Sequence, residues 1–109
     1  ILLDGDSAAA VTPVECLGFA LASCMASDVV HILGKQRADL RGCEVRFSGR
    51  RSGTDPRRFL AIELHFAFRG DLAVDRVERA IALSREKYCS VWHSLHPKID
   101  FKTSFTVNP

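Results

Sequence analysis

One long apolar segment constrains the fold of this chain more than any other feature of its sequence. Thr12, Pro13 and Glu15 form a helix-start signal: a capping threonine, a proline at the first helical position and a glutamate that completes a capping box. We predict a helix that runs from there to about Leu33, with Gly34 at its C-terminal end. Its apolar residues point in every direction around the axis: Cys16, Leu17, Phe19, Ala20, Leu21, Ala22, Met25, Val29, Val30, Ile32 and Leu33. A helix that is apolar on all sides is buried on all sides.

The chain is too small to cover such a helix by itself. Its 109 residues, 47% of them hydrophobic, and its net charge of +2 fit one globular domain over residues 1–109 and exclude a disordered chain. Five small residues of the helix leave room for the close approach of another backbone: Gly18, Ala20, Ala22, Ser23 and Ala26. We therefore predict that a second copy of the chain completes the burial, most simply in a twofold homodimer.

Three later segments alternate apolar and polar residues with the period of a β-strand. They are residues 39–51, 59–69 and 99–107, and the first two flank an arginine-rich turn that reads as a hairpin tip. Residues 75–88 form an amphipathic helix, for which we predict that Val77, Ile81 and Tyr88 point inward. Helices interleaved with hairpins indicate an α+β fold, with the long central helix packed on antiparallel sheets.

Composition and charge exclude several classes of function. A net charge of +2 is too small for nucleic-acid binding driven by bulk charge. We interpret the arginines of the turn as solvent-exposed charges. The longest uncharged run, residues 16–27, has a length that belongs to a buried helix more often than to a membrane span. We expect a cytoplasmic protein that binds neither nucleic acid nor membrane.

The four cysteines are the chemically most informative residues. Cys43 lies on the apolar face of a strand and Cys16 among apolar helix residues, so packing is the favoured role of both. Cys24 lies in the small-residue stretch of the long helix. Cys89 stands at a helix start with Lys87 nearby, which makes it a candidate thiol of low pKa. The spacing alone does not pair Cys24 with Cys89.

Two other polar patterns have ordinary explanations. One helical face could carry Cys89, His93 and His96, which together with Cys24 would form a Cys₂His₂ zinc site. The spacing of these residues matches no common zinc motif. We favour partly exposed histidines and expect no metal and no cofactor. Asp28 and His31 lie three residues apart on the long helix, and for them we expect a satisfied buried hydrogen bond in preference to a binding role.

Several blocks of the sequence resemble the family of osmotically inducible protein C and organic hydroperoxide resistance proteins (OsmC/Ohr), in its OsmC-like branch. The blocks agree in order and approximate spacing, and they are residues 12–17, 22–30, 40–45, 77–81 and 86–89. The resemblance implies an intertwined homodimer with a central helix. Because the chain begins at Ile1, we also expect that N-terminal strands of that fold precede it.

The resemblance further implies a thiol peroxidase. Cys24 matches the family cysteine that attacks an organic hydroperoxide and becomes a sulfenic acid. Cys89 matches the cysteine that resolves it as a disulfide, which a dithiol reductant then reopens. Glu15 matches the family glutamate that holds a thiolate-stabilising arginine, but no arginine precedes Arg37. Ser90 also replaces a proline common in the family. The alternative is a homodimer of the same fold with weak or no peroxidase activity, which binds a small apolar ligand or has a structural role.

Overall fold

The computed structural model describes all 109 residues, and its longest element is α1, Pro13–Lys35. The predicted capping box is present. The Glu15 amide donates to Thr12 Oγ1 (3.2 Å), and the Thr12 amide donates to Glu15 Oε1 (3.0 Å). The helix continues to Lys35, two residues beyond the predicted end, and Gln36 caps it.

Only one side of α1 is buried within the single chain. Leu21, Met25 and Val29 are fully buried, whereas Phe19 and Val30 remain 48% and 43% exposed. The helix is also long and apolar enough to cross a membrane, but the core helix of a soluble protein passes the same test. The predicted burial on all sides is therefore not reached by one copy of the chain.

Three strands form one mixed sheet, in the order β1 (Asp39–Arg51), β2 (Phe59–Asp71) and β3 (Asp100–Val107). Strands β1 and β2 pair antiparallel as a hairpin, as predicted, but β2 and β3 pair parallel. The α+β class is confirmed, and the expectation of wholly antiparallel sheets is corrected to a mixed sheet. The physical reason is that the chain returns from β2 to β3 through helices, and such a crossover brings the next strand in parallel.

A single core holds α1, the sheet and the second helix together. Strand β2 supplies much of it, because alternate side chains of its central part face inward. The fully or almost fully buried members from β2 are Ile62, Leu64, Phe66 and Phe68. Leu21, Met25 and Leu33 of α1 pack in the same cluster.

The predicted helix over residues 75–88 is two elements. Helix α2 covers Val74–Leu83, and a π-helical turn, Ser84–Tyr88, continues it. Val77 and Ile81 are buried as predicted, but Tyr88 is half exposed, contrary to the prediction. The wider π-helical turn shifts the phase of the side chains, and the residue that turns inward is Cys89. The short helix α3, Ser90–His93, begins directly after that cysteine.

Candidate active site: two cysteines and an aspartate

The fold brings Cys24 and Cys89 together from two distant parts of the chain. Cys24 and Asp28 lie one turn apart on α1, and Cys89 joins them at the end of the π-helical turn. The two Sγ atoms and a carboxylate oxygen of Asp28 all lie within 4.8 Å of one another. All four cysteines of the chain are free thiols, and Cys16 and Cys43 are not part of this group.

Cys89 is the buried thiol of the pair. Its side chain is fully buried, and the Trp92 amide donates a hydrogen bond to its Sγ (3.3 Å). Burial raises the pKa of Cys89 to about 11, because desolvation outweighs the opposing effect of the backbone amides. The predicted low pKa at this helix start is therefore wrong. Lys87 does not offset the burial, because its Nζ lies over the Tyr88 ring, 5.3 Å from the ring centroid.

Cys24 is the more accessible thiol. It is half-buried, and its Sγ lies 3.9 Å from Ser90 Oγ. No arginine of the chain hydrogen-bonds to either sulfur. Arg85, in the π-helical turn, instead places its guanidinium 4.6 Å from the ring centroid of Phe101. The thiolate-stabilising arginine of the family has no counterpart at this site within the chain.

Asp28 is fixed by a buried serine. The Ser84 hydroxyl donates to Asp28 Oδ2 (2.8 Å), and the Cys89 amide donates to the Ser84 carbonyl (2.7 Å). The predicted hydrogen bond is present at Asp28, which is half-buried and accepts it from Ser84, but the prediction is wrong for His31, which is exposed. Sequence reasoning missed Asp28 as a neighbour of the thiols, although its spacing of four residues from Cys24 was a usable signal. Nothing in the sequence marks Ser84.

A cavity of about 500 Å³ opens beside Asp28, between α1 and the π-helical turn. Its lining mixes apolar, aromatic and polar side chains: Asp28, His31, Ile32, Lys35, Gln36, Leu83 and Tyr88. Solvent and small molecules therefore have a path to the carboxylate side of the cluster.

Comparison with known proteins identifies the family of the chain. The family model for OsmC-like proteins matches residues 4–104. The chain belongs to the OsmC-like protein family. This OsmC-like protein is 43% identical over 109 residues to the protein YhfA of Escherichia coli K12, across 98% of its own length and 81% of the relative's.

Solved structures show the same fold. A hypothetical protein from Aquifex aeolicus VF5 is 32% identical to this OsmC-like protein, with a TM-score of 0.87 over 92% of this chain and 76% of the other. An organic hydroperoxide resistance protein OsmC from Legionella pneumophila is 22% identical, with a TM-score of 0.74 over 91% of this chain and 72% of the other. The predicted family is confirmed.

Glu15 does not reach the thiols within one copy of this OsmC-like protein. It lies nine residues before Cys24 on α1, roughly 13 Å along the helix axis. Hydrogen bonds from Thr12, first from its amide and then from its hydroxyl, lower the pKa of Glu15, and Arg51 adds a smaller effect. Its contacts in this chain are those of a helix cap, and its catalytic role stays a prediction.

The alternative zinc set is not formed in this OsmC-like protein. His93 and His96 are exposed, and His96 Nδ1 accepts a hydrogen bond from the Lys98 amide (3.1 Å). The third potential ligand beside Cys24 and Cys89 is Asp28, and neither histidine belongs to the cluster.

Proposed function

We propose that this OsmC-like protein is a cysteine-based peroxidase that reduces organic hydroperoxides. The observation that carries the proposal is the convergence of the Cys24 and Cys89 sulfurs within 4.8 Å. In the first step the Cys24 thiolate attacks the terminal peroxide oxygen, the O–O bond breaks, and the substrate leaves as an alcohol after it takes up a proton. Cys24 is thereby oxidised to a sulfenic acid.

The second step forms a disulfide. The Cys89 sulfur attacks the sulfur of the Cys24 sulfenic acid, the S–O bond breaks, and the hydroxyl leaves as water with the proton from Cys89. A dithiol reductant then reopens the disulfide by thiol–disulfide exchange and is itself oxidised. The half-buried position of Cys24 and the full burial of Cys89 support the order of the two roles. A cytoplasmic location, with its reducing thiol pool, fits the four free cysteines.

One equivalent of organic hydroperoxide tests the proposal directly. We expect the reduced protein to form a single disulfide between Cys24 and Cys89, whose sulfurs lie within 4.8 Å, while Cys16 and Cys43, which are outside this cluster, stay reduced. Alkylation of the remaining thiols followed by peptide mass spectrometry identifies the pair. A protein whose four thiols all stay reduced would exclude the proposed reaction.

The rate of disulfide closure is expected to rise with pH. The pKa of Cys89 is raised to about 11 by burial, so below that value its thiolate fraction increases tenfold for each pH unit. Closure should therefore be about 100-fold faster at pH 9 than at pH 7, since the thiolate is the attacking form. Stopped-flow fluorescence of Trp92, the only tryptophan and a hydrogen-bond partner of Cys89, can follow this step. A closure rate that does not change over this range contradicts the prediction.

We further propose that α1 pairs with α1 of a second copy. A stripe along the exposed side of α1 combines small residues with two large apolar ones: Phe19, Ser23, Ser27, Val30 and Gly34. Small residues allow close helix–helix approach, and pairing would bury Phe19 and Val30, which one chain leaves about half exposed.

Val30→Glu is therefore expected to convert a dimer to a monomer, because it places a charge within this stripe. Light scattering coupled to size-exclusion chromatography measures the change. Val74→Glu is the matched control, since Val74 is 58% exposed and lies on α2, away from the stripe. Equal masses for Val30→Glu and the parent would place the dimer contact elsewhere.

One observation favours the alternative, a homodimer of this fold with weak or no peroxidase activity. Arg85 is engaged by the rings of Phe101 and Trp92, and no guanidinium of the chain contacts Cys24. A parent protein that forms the dimer but leaves organic hydroperoxide unconsumed would favour this alternative.

A further inference from the structure

The cluster of Cys24, Asp28 and Cys89 combines two thiols and a carboxylate at one point. We propose that in its dithiol form this cluster binds one thiophilic divalent metal ion of the Zn²⁺ class. We propose also that the bound ion prevents the two thiols from reacting with peroxide. The binding itself stands on the geometry of the cluster, whereas the effect on peroxide reduction rests on the proposed function.

The distances suit a small metal ion. The three ligand atoms lie within 4.8 Å of one another. On a tetrahedral zinc ion two sulfurs are roughly 3.8 Å apart, and a sulfur and a carboxylate oxygen roughly 3.5 Å, so no separation has to shorten by more than about 1.3 Å. Cys24 is half-buried and its contact with Ser90 Oγ is long, 3.9 Å, so this contact does not oppose the adjustment.

The charge of the cluster also favours a cation. Asp28 is half-buried, accepts a hydrogen bond from Ser84 and belongs to none of the ion pairs of the chain. Charges taken fully out of water in proteins are paired or bound to metal, and a carboxylate that is partly withdrawn from water also gains from a nearby cation. A divalent ion displaces one proton from each thiol and forms two metal–sulfur bonds. The ion thus neutralises the charge of the two thiolates, and the Asp28 carboxylate is the third protein ligand.

The surroundings hold the ligands in place. Ser84, which is fully buried, holds Asp28 in place through a hydrogen bond to Oδ2. The Ser84 carbonyl and the Trp92 amide fix the backbone and the sulfur of Cys89. Such outer contacts orient the ligands of metal sites. The cavity beside Asp28 provides an entry path for a metal ion to the carboxylate side of the cluster.

Titration of the reduced, tag-free protein with Co²⁺ under argon tests the binding. We expect one ion per chain, with a thiolate-to-cobalt band in the near ultraviolet, visible bands of tetrahedral cobalt, and displacement of Co²⁺ by Zn²⁺. Cys24→Ser and Cys89→Ser should each lose most of the near-ultraviolet band. Asp28→Asn should weaken binding by at least about tenfold, since outer-shell changes alone cost 10–100-fold in affinity.

Cys16→Ser and Cys43→Ser are the matched controls, because each removes a thiol outside the cluster. Both are expected to bind Co²⁺ like the parent. Circular dichroism of each variant shows whether it is folded. The proposal is overturned if the parent shows no thiolate-to-cobalt band, or if the control variants lose the band as completely as the cluster variants.

A hydroperoxide assay with and without Zn²⁺ separates this proposal from the proposed function. We expect Zn²⁺ to suppress peroxide consumption and a chelator to restore it. If the protein binds Co²⁺ through the cluster but never consumes peroxide, the proposed metal site is supported and the proposed peroxidase function is excluded. A protein that consumes peroxide equally with and without Zn²⁺ overturns the proposed block.

Discussion

Cys24→Ser is expected to reduce organic hydroperoxide consumption to the background rate of peroxide and reductant alone. Cys24 is the more accessible of the two thiols at the site, and a serine hydroxyl does not replace a thiolate as nucleophile toward peroxide. The loss should exceed about a hundredfold, because the covalent step itself disappears. Steady-state consumption with excess dithiothreitol, followed by a ferrous-oxidation assay of the remaining peroxide, measures it.

Cys89→Ser is expected to behave differently from Cys24→Ser. The first turnover should be retained, because the attacking thiol is intact. The sulfenic acid at Cys24 should then persist and oxidise further, because no second thiol lies within reach to form the disulfide. Trapping with dimedone and intact mass measurement distinguish the sulfenic acid from the more oxidised forms.

Cys43→Ser is the control for both variants. Cys43 lies on β1, and burial raises the pKa of its thiol, so it should take no part in turnover. Retention of full activity by Cys24→Ser, with loss of the first turnover in Cys89→Ser, would reverse the assigned roles. Full activity in both variants would rule out the peroxidase mechanism.

Local sequence signals predicted the elements of the fold well. The capping residues marked the start of α1, and alternation marked β1 and β2 within two residues of their ends. The parallel pairing of β3 was missed because alternation in a strand carries no information on the direction of its partner. The π-helical turn was missed because a helical pattern is read with a period of 3.6, and one wider turn moved Tyr88 outward.

The candidate site was only partly predictable, because it depends on tertiary contacts that the sequence does not show. Cys24 and Cys89 were singled out by their surroundings and by the family resemblance, but their closeness depends on tertiary packing of α1 against the end of the π-helical turn. The pKa of Cys89 was predicted in the wrong direction, because local helix geometry favours a thiolate and the burial that outweighs it is invisible in the sequence. Glu15 illustrates the opposite case, since its capping role follows entirely from local sequence.

Gly70→Ala is expected to destabilise the fold by about 3 kcal/mol or more, because backbone strain and overpacking each cost 1–3 kcal/mol. Gly70 has a φ of 140°, a conformation that side-chain-bearing residues rarely adopt. An added Cβ would collide with the Asp39 carbonyl oxygen and lie 3.2 Å from the Arg41 amide nitrogen, both of them backbone atoms.

The backbone at Gly70 cannot relax away from this collision. Asn108 holds it from the other side: the Gly70 amide donates to Asn108 Oδ1 (3.0 Å), and Asn108 Nδ2 donates to the Gly70 carbonyl (2.8 Å). The pairing of β1 with β2 also shifts register next to this residue. Strain introduced at Gly70 is therefore transmitted to all three strands.

Thermal unfolding at a fixed protein concentration measures the effect of Gly70→Ala. We expect Tm to fall by at least about 10 °C, since 1 kcal/mol corresponds to 4–8 °C in a domain near this size. Gly53→Ala is the matched control, because Gly53 lies between β1 and β2 with nothing within 4 Å of the added methyl group, and its Tm should stay close to that of the parent. Equal Tm values for the two variants would mean that the end of β2 tolerates a side chain. The Asn108 contacts would then not hold the strand in the conformation that excludes one.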